Sequence, residues 1–211
     1  MKAPALKAPA YWTRAKRELG AADPVLGALI TRHKGLTLAS RGDAFQTLAR
    51  SIVGQQISVK AAQSVWDRFA ATAGEVAPRR VARMSVERLR GCGLSGQKAG
   101  YLLDLSTRFA DGALDAARWH DIDDEALITD LTQVKGIGRW TAEMFLIFYL
   151  TRPDVFPLGD LGLQRAMQLH YNKGRALSDR RITALGKRWA PWRSVATWYL
   201  WRSLDPVPVE Y

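Results

Sequence analysis

Residues 131–167 read LTQVKGIGRWTAEMFLIFYLTRPDVFPLGDLGLQRAM, and three features of this stretch decide how the rest of the chain is read. A polar-flanked turn, Val134-Lys135-Gly136-Ile137-Gly138, joins two helical patterns. A nearly all-apolar helix from Trp140 to Leu150 follows it as a buried wall. Beyond that helix a lone carboxylate, Asp160, stands in a Pro/Gly-rich approach to the next helix. Gly136 and Gly138 can adopt backbone angles closed to other residues, and they let a foreign backbone come close. Helix N-termini present unpaired N–H groups and the positive end of the dipole, so Gly-x-Gly opening a helix suits an anion. The same five residues also suit a plain helix-to-helix turn, because helix stops use glycine as well. Asp160, taken alone, is an ordinary N-cap of the helix beginning at Leu161.

Charge narrows the choice of partner. Lysine and arginine number 31 against 20 acidic residues, for a net charge of +11 in 211 residues. This balance favours a polyanion such as nucleic acid, although charge says nothing about fold. Cys92 is the only cysteine, which excludes a disulfide framework and a cysteine-ligated metal cluster. His33, His120 and His170 show no metal-ligand spacing. The N-terminus lacks the apolar core of a signal peptide, and the longest apolar run, Met144 to Leu150, is far too short to span a bilayer. A soluble, cytoplasmic protein with no membrane contact is expected.

Along the chain the signals are helical throughout. Residues 1–10 (MKAPALKAPA) form a loose tail, and Tyr11 to Leu19 reads as a short helix. Asp23-Pro24 opens a helix to about His33, and Arg41-Gly42-Asp43 turns into one with Ala44, Phe45, Leu48, Ala49 and Ile52 on one face. Ser58 caps the next helix, with Val59, Ala62, Trp66 and Phe69 as its buried stripe. Ser85 and Ser95 cap two more, on either side of Gly91-Cys92-Gly93-Leu94. Gly96, Gln97 and Lys98, at the second of these N-termini, suit either DNA backbone or plain solvent. Asp123, Asp124 and Glu125 suit the first turn of the helix entering the Gly-x-Gly turn. After Asp160 come helices from Leu161 to His170, from Ser178-Asp179 to Trp189, and from Pro191 through PWRSVATWYLWRSL into a Pro-rich tail. Trp192, Val195, Trp198 and Tyr199 recur at core spacing. No segment alternates with a period of two, so no sheet is expected, and there are no internal repeats.

Four strings carry a resemblance: IVGQQISVKAA, VKGIGRWTAE, DVFPLGDLGLQR and RWAPWRSVATWYLW. Together they resemble the alkylpurine (3-methyladenine) DNA glycosylases of the helix-hairpin-helix superfamily, over about residues 21–204. The resemblance implies an all-α fold of two helical lobes with a cleft between them, and no N-terminal β domain. The expected lobes are 43–150, ending in the hairpin, and 11–42 with 151–211. It also implies roles for named residues. Asp160 would be the catalytic carboxylate, and Gln56 the plug that fills the gap left by an extruded base, with Gln55 beside it toward the pocket. Trp140, Trp201 and Met144 would line the base pocket, Met144 standing where some relatives have tyrosine. Hairpin amides at Gly136 and Gly138, with Lys135, Arg139 and Thr141, would hold phosphates. A monovalent cation, Na+ or K+, would sit on the carbonyls of Thr132, Val134 and Ile137; no other cofactor is required, and no iron–sulfur cluster is expected.

The implied activity is monofunctional. A purine alkylated on a ring nitrogen can become cationic and leaves its sugar readily, so the enzyme must expose it, reject ordinary bases and stabilise an oxocarbenium-like sugar with a carboxylate. Trp140 occupies the position where bifunctional relatives place a Schiff-base lysine, which disfavours strand cleavage. The partner would be double-stranded DNA bearing alkylated bases, met by a monomer. Two other readings stand beside this one: a glycosylase/lyase, and a hairpin module that only binds DNA. Asp160, a carboxylate facing a polyanion, argues against the second.

Overall fold

The computed structural model describes residues 8–40 and 43–204. The expected tail over residues 1–7, the Arg41-Gly42 turn and the Pro-rich end from residue 205 lie outside the described residues. Among those described there are twelve α-helices, one 3-10 turn and no strand. We number the helices α1 (Trp12–Ala22), α2 (Pro24–Arg32), α3 (Ala44–Gly54), α4 (Val59–Ala73), α5 (Pro78–Val81), α6 (Val86–Gly91), α7 (Gly96–Ala110), α8 (Asp124–Thr132), α9 (Arg139–Phe148), α10 (Leu161–Asn172), α11 (Asp179–Trp189) and α12 (Arg193–Leu204). No helix is long and apolar enough to cross a membrane, again among the described residues.

Side-chain caps set most of these boundaries. Asp23, Asp43, Ser58, Ser85, Ser95, Asp123 and Asp160 each accept hydrogen bonds from first-turn amides of the following helix. Two elements escaped the sequence reading. The one-turn helix α5 and the 3-10 turn Ala116–Arg118 are too short to show a periodicity. One buried stripe needs correction. Val59 is 75% exposed, whereas the buried face of α4 is Val65, Trp66, Phe69 and Ala73. A residue at the first helical position precedes the turn that packs, so the stripe begins later than the apolar pattern suggests.

The chain divides into two compact units. One takes residues 43–145; the other joins 8–40 to 146–204. The division falls inside α9, after Phe145, and not past residue 150. In the central unit an edge-to-face series runs Phe45–Phe109–Trp119–Phe145, with centroid separations of 5.4 to 5.8 Å. The other unit is built on Trp12, Trp189, Trp198 and Tyr199, all buried. The buried carboxylate of Asp23 caps α2 with one oxygen and receives the Tyr171 hydroxyl and the Trp189 indole N–H on the other, both at 3.0 Å. A buried charge satisfied in this way fixes which helices meet. Burial and the adjacent carboxylate push the Tyr171 hydroxyl well above its ordinary range, so it stays a donor.

A candidate carboxylate site and a braced hairpin

Asp160 sits at the N-terminus of α10 and is 9% exposed. Its Oδ1 accepts the Leu163 amide at 2.6 Å and the Trp201 indole N–H at 2.8 Å. Two donors on one oxygen fix the orientation of the carboxylate. The indole is itself held: Trp201 stacks on Phe148, with centroids 5.7 Å apart and planes 15° apart. Gly162 leaves room for this arrangement, since a Cβ there would stand 3.2 Å from Asp160 Oδ1 and 3.4 Å from the indole.

The loop that delivers Asp160 is anchored along its length. Arg193 grips Asp154 with two hydrogen bonds, at 2.7 and 2.8 Å. The Val155 amide donates to Ser194 Oγ at 2.9 Å. The Phe156 ring lies flush on Gly186, where a Cβ would collide with it, and packs edge-on against Trp189. A Pro/Gly-rich segment is thus rigid because α11 and α12 hold it. Leu158 and Leu161, exposed at 46% and 79%, flank the carboxylate in sequence.

The central unit carries the hairpin. Gly136 has φ of +83°, and its Cα lies so close to the Tyr101 ring that a Cβ would fall within it. Gly138 differs from expectation: its φ is not positive, and a Cβ there would meet no atom within 4 Å. Its side faces open space, which suits close approach by a foreign backbone. The Ala142 amide donating to the Gly138 carbonyl (3.0 Å) is the first bond of α9, so the amides ahead of it lie at the open helix end. The Lys135 amide donates to Asp104 Oδ2 at 2.9 Å while its side chain is exposed. Arg139 is engaged within the protein, donating to both oxygens of Glu125 (2.5 and 2.9 Å) and to Glu143 (3.0 Å). Hydrogen bonding to Glu125 raises the Arg139 pKa, and Arg139 in turn lowers that of Glu125.

The α3–α4 junction leans on the same hairpin. Gln55 donates its side-chain amide to the Gly136 carbonyl at 2.8 Å, and Gln56 adopts a left-handed φ of +58° with its side chain exposed. Lys98 does not present its ammonium as a free DNA contact: Nζ donates to the carbonyls of Val53 (2.9 Å) and Gln55 (2.7 Å). Gln97 likewise donates to the Tyr101 hydroxyl.

A family model described as the HhH-GPD superfamily base excision DNA repair protein matches residues 49–191, a span that takes in the Gln55-Gln56 junction, the hairpin and Asp160. The chain belongs to the HhH-GPD superfamily. Among its curated relatives is a Bacillus subtilis protein named putative DNA-3-methyladenine glycosylase YfjP, 31% identical over 85% of this chain; the chain spans 66% of that relative's length. Among solved structures, a DNA-3-methyladenine glycosidase from Bacillus halodurans matches with a TM-score of 0.83 and 36% identity, over 90% of this chain and 88% of that one. The Schizosaccharomyces pombe 3-methyladenine DNA glycosylase Mag1, solved in complex with abasic DNA, matches with a TM-score of 0.75 and 28% identity, over 90% and 96%.

Within this superfamily member the expected site residues fall into two groups. Asp160 and Trp201 are in direct contact in one unit. Gln55, Gln56, Lys135, Gly136 and Gly138 gather in the other, where Trp140 (42% exposed), the buried Thr141 and the buried Met144 begin α9. Trp140, Met144 and Phe148 recur every four residues and so share a side of that helix. The sequence reading missed Phe148, Tyr101 and Asp104, and it named Lys98, Glu125 and Arg139 without the partners that the structure gives them.

Proposed function

We propose that this protein is a monofunctional DNA glycosylase that extrudes alkylated purines, of the 3-methyladenine and 7-methylguanine type, from duplex DNA and hydrolyses the N-glycosidic bond. The carrying observation is Asp160, a shielded carboxylate whose orientation is set by a backbone amide and an indole N–H. A negative charge held in place before the reaction stabilises positive charge developing on deoxyribose without reorganising. As the C1′–N bond breaks, its electron pair leaves with the cationic base and neutralises it. Water then bonds to C1′ and loses a proton, and Asp160 is the group that guides it. The product is an abasic site on an intact strand. Trp201 offers an aromatic face to an electron-poor base while its indole N–H orients the carboxylate.

On this reading the hairpin amides around Gly138, with the exposed Lys135, hold phosphates, and Gln56 fills the vacated stack. The carbonyls of Thr132, Val134 and Ile137 are all-oxygen donors, suited to a hard monovalent cation such as Na+ or K+. Val134 gives one lone pair to the Ile137 amide and keeps a second. Such an ion would add positive charge beside a phosphate.

Incubation with methylated duplex tests the proposal directly. Free 3-methyladenine or 7-methylguanine with unbroken strands is expected. Nicked strands would point to lyase chemistry, and no released base would leave only a DNA binder. Asp160→Asn is expected to slow release by about 10³-fold or more, roughly 4 kcal/mol of barrier, with abasic-DNA affinity kept within a few-fold. Undiminished release by that variant removes Asp160 from the mechanism.

A further inference from the structure

Lys98 lies in the first turn of α7, where a cation opposes the positive end of that helix's dipole. Its place makes sense from the other side. Nζ reaches the Val53 carbonyl, in the last turn of α3, and the Gln55 carbonyl beyond it. These are the orphan acceptors of a helix C-terminus, where an ammonium is favoured. Removal from water depresses the Lys98 pKa, yet the two carbonyls keep it bonded.

Other residues of the same helix act on the hairpin. Tyr101, one turn on, places its ring against the Gly136 Cα, and Asp104, another turn on, accepts the Lys135 amide at 2.9 Å. Arg108 holds that carboxylate from the following turn at 3.1 Å. Gln55 closes the loop by donating to Gly136 at 2.8 Å. Between these braces Gln56 is held left-handed, a conformation that non-glycine residues keep only when their surroundings impose it.

We propose that Lys98 is a positioning residue for base extrusion. From α7 it clamps the left-handed turn of Gln56, so that the plug stands in fixed register with the phosphate-holding hairpin. The inference rests on the glycosylase reading and assigns Lys98 no contact with the substrate. A plug fixed in advance does its work only when the base must be pulled from a sound stack. A mismatched base costs less to unstack and needs the clamp less.

The test compares wild type with Lys98→Met, which keeps an unbranched side chain and removes the donor. Excision of 7-methylguanine is timed under single-turnover conditions, once paired with cytosine and once in a mismatch. The variant is expected to slow release from the paired duplex at least tenfold more than from the mismatch, with an unchanged melting temperature. Equal loss on both duplexes, or no loss, overturns the proposal. A second readout needs no bond cleavage: 2-aminopurine placed beside an abasic analogue should brighten on binding wild type and brighten less with the variant. Equal signals again overturn the clamp. Failure of wild type to release base from either duplex would instead strike at the glycosylase reading, and the fluorescence arm still judges Lys98 by itself.

Discussion

The Asp160 neighbourhood and the Gly136 hairpin achieve rigidity by opposite means. Around Asp160 the proposed catalytic group is a side chain, and it is buried: an indole, a backbone amide and an anchored loop enclose one carboxylate oxygen. Around Gly136 the groups proposed to hold phosphate are backbone amides, which on that reading must stay exposed. Their support comes from behind, through the Tyr101 ring, Asp104 and the Gln55 amide. Charge stabilisation gains from exclusion of water. Phosphate binding needs reach and an open approach. One site is therefore stabilised by packing over it, and the other by packing beneath it.

The largest effect expected from breaking this contrast lies at the two hairpin glycines. Gly136→Ala forces a Cβ into the Tyr101 ring at a left-handed φ of +83°. Overpacking and backbone strain together should cost about 2–4 kcal/mol of stability, read by chemical denaturation. Gly138→Ala meets no neighbouring atom and should change stability by less than about 0.5 kcal/mol. It should weaken abasic-DNA binding instead, because the added methyl stands where a phosphate would approach. Equal destabilisation by both changes would erase the division between support beneath and an open face above.

A smaller effect is expected at the carboxylate. Trp201→Phe keeps a ring for Phe148 to stack on and removes the 2.8 Å donor to Asp160. Release of alkylated base should slow roughly tenfold, about 1.4 kcal/mol, while stability stays close to wild type. A fall in melting temperature matching the loss of activity would make the indole a core residue and nothing more.

The same contrast explains what could be read in advance. Caps and helical periodicity are local, so Asp23, Asp43, Ser58, Ser85 and Ser95 were legible, as were helix order and the core face at Val195, Trp198 and Tyr199. The groups proposed to work at Gly136, Asp160 and Gln56 could be singled out because turn chemistry and the family strings sit on them. Their supports could not. Lys98 acts 43 residues from Gln55, and Trp201 acts 41 residues from Asp160. Such pairs leave no short-range period. Lys98 at a helix start looks like any solvated or DNA-facing lysine until the carbonyls it caps are seen. Val59 failed for the converse reason: it has an apolar side chain at core spacing, but the helix end it occupies faces outward.

The smallest effect is expected at the Glu125–Arg139 pair, which joins α8 to the first residue of α9 on the hairpin's exposed side. Hydrogen bonding to Arg139 lowers the Glu125 pKa in the folded chain. Its contribution is thus present in full above the unfolded carboxylate value of about 4.3 and is lost as pH falls through the lower folded value. Both side chains are more than half exposed, so solvent screening limits the pair to less than about 1 kcal/mol. Glu125→Gln should therefore barely move stability at pH 7 and should flatten its decline in acid. It should also release the two terminal guanidinium nitrogens, with Nε still bonded to Glu143, to reach a phosphate, tightening DNA binding at low salt and steepening the dependence of affinity on salt. Unchanged salt dependence would mean that Arg139 serves the hairpin as a brace from above, the one place where the open face is supported in the manner of the buried one.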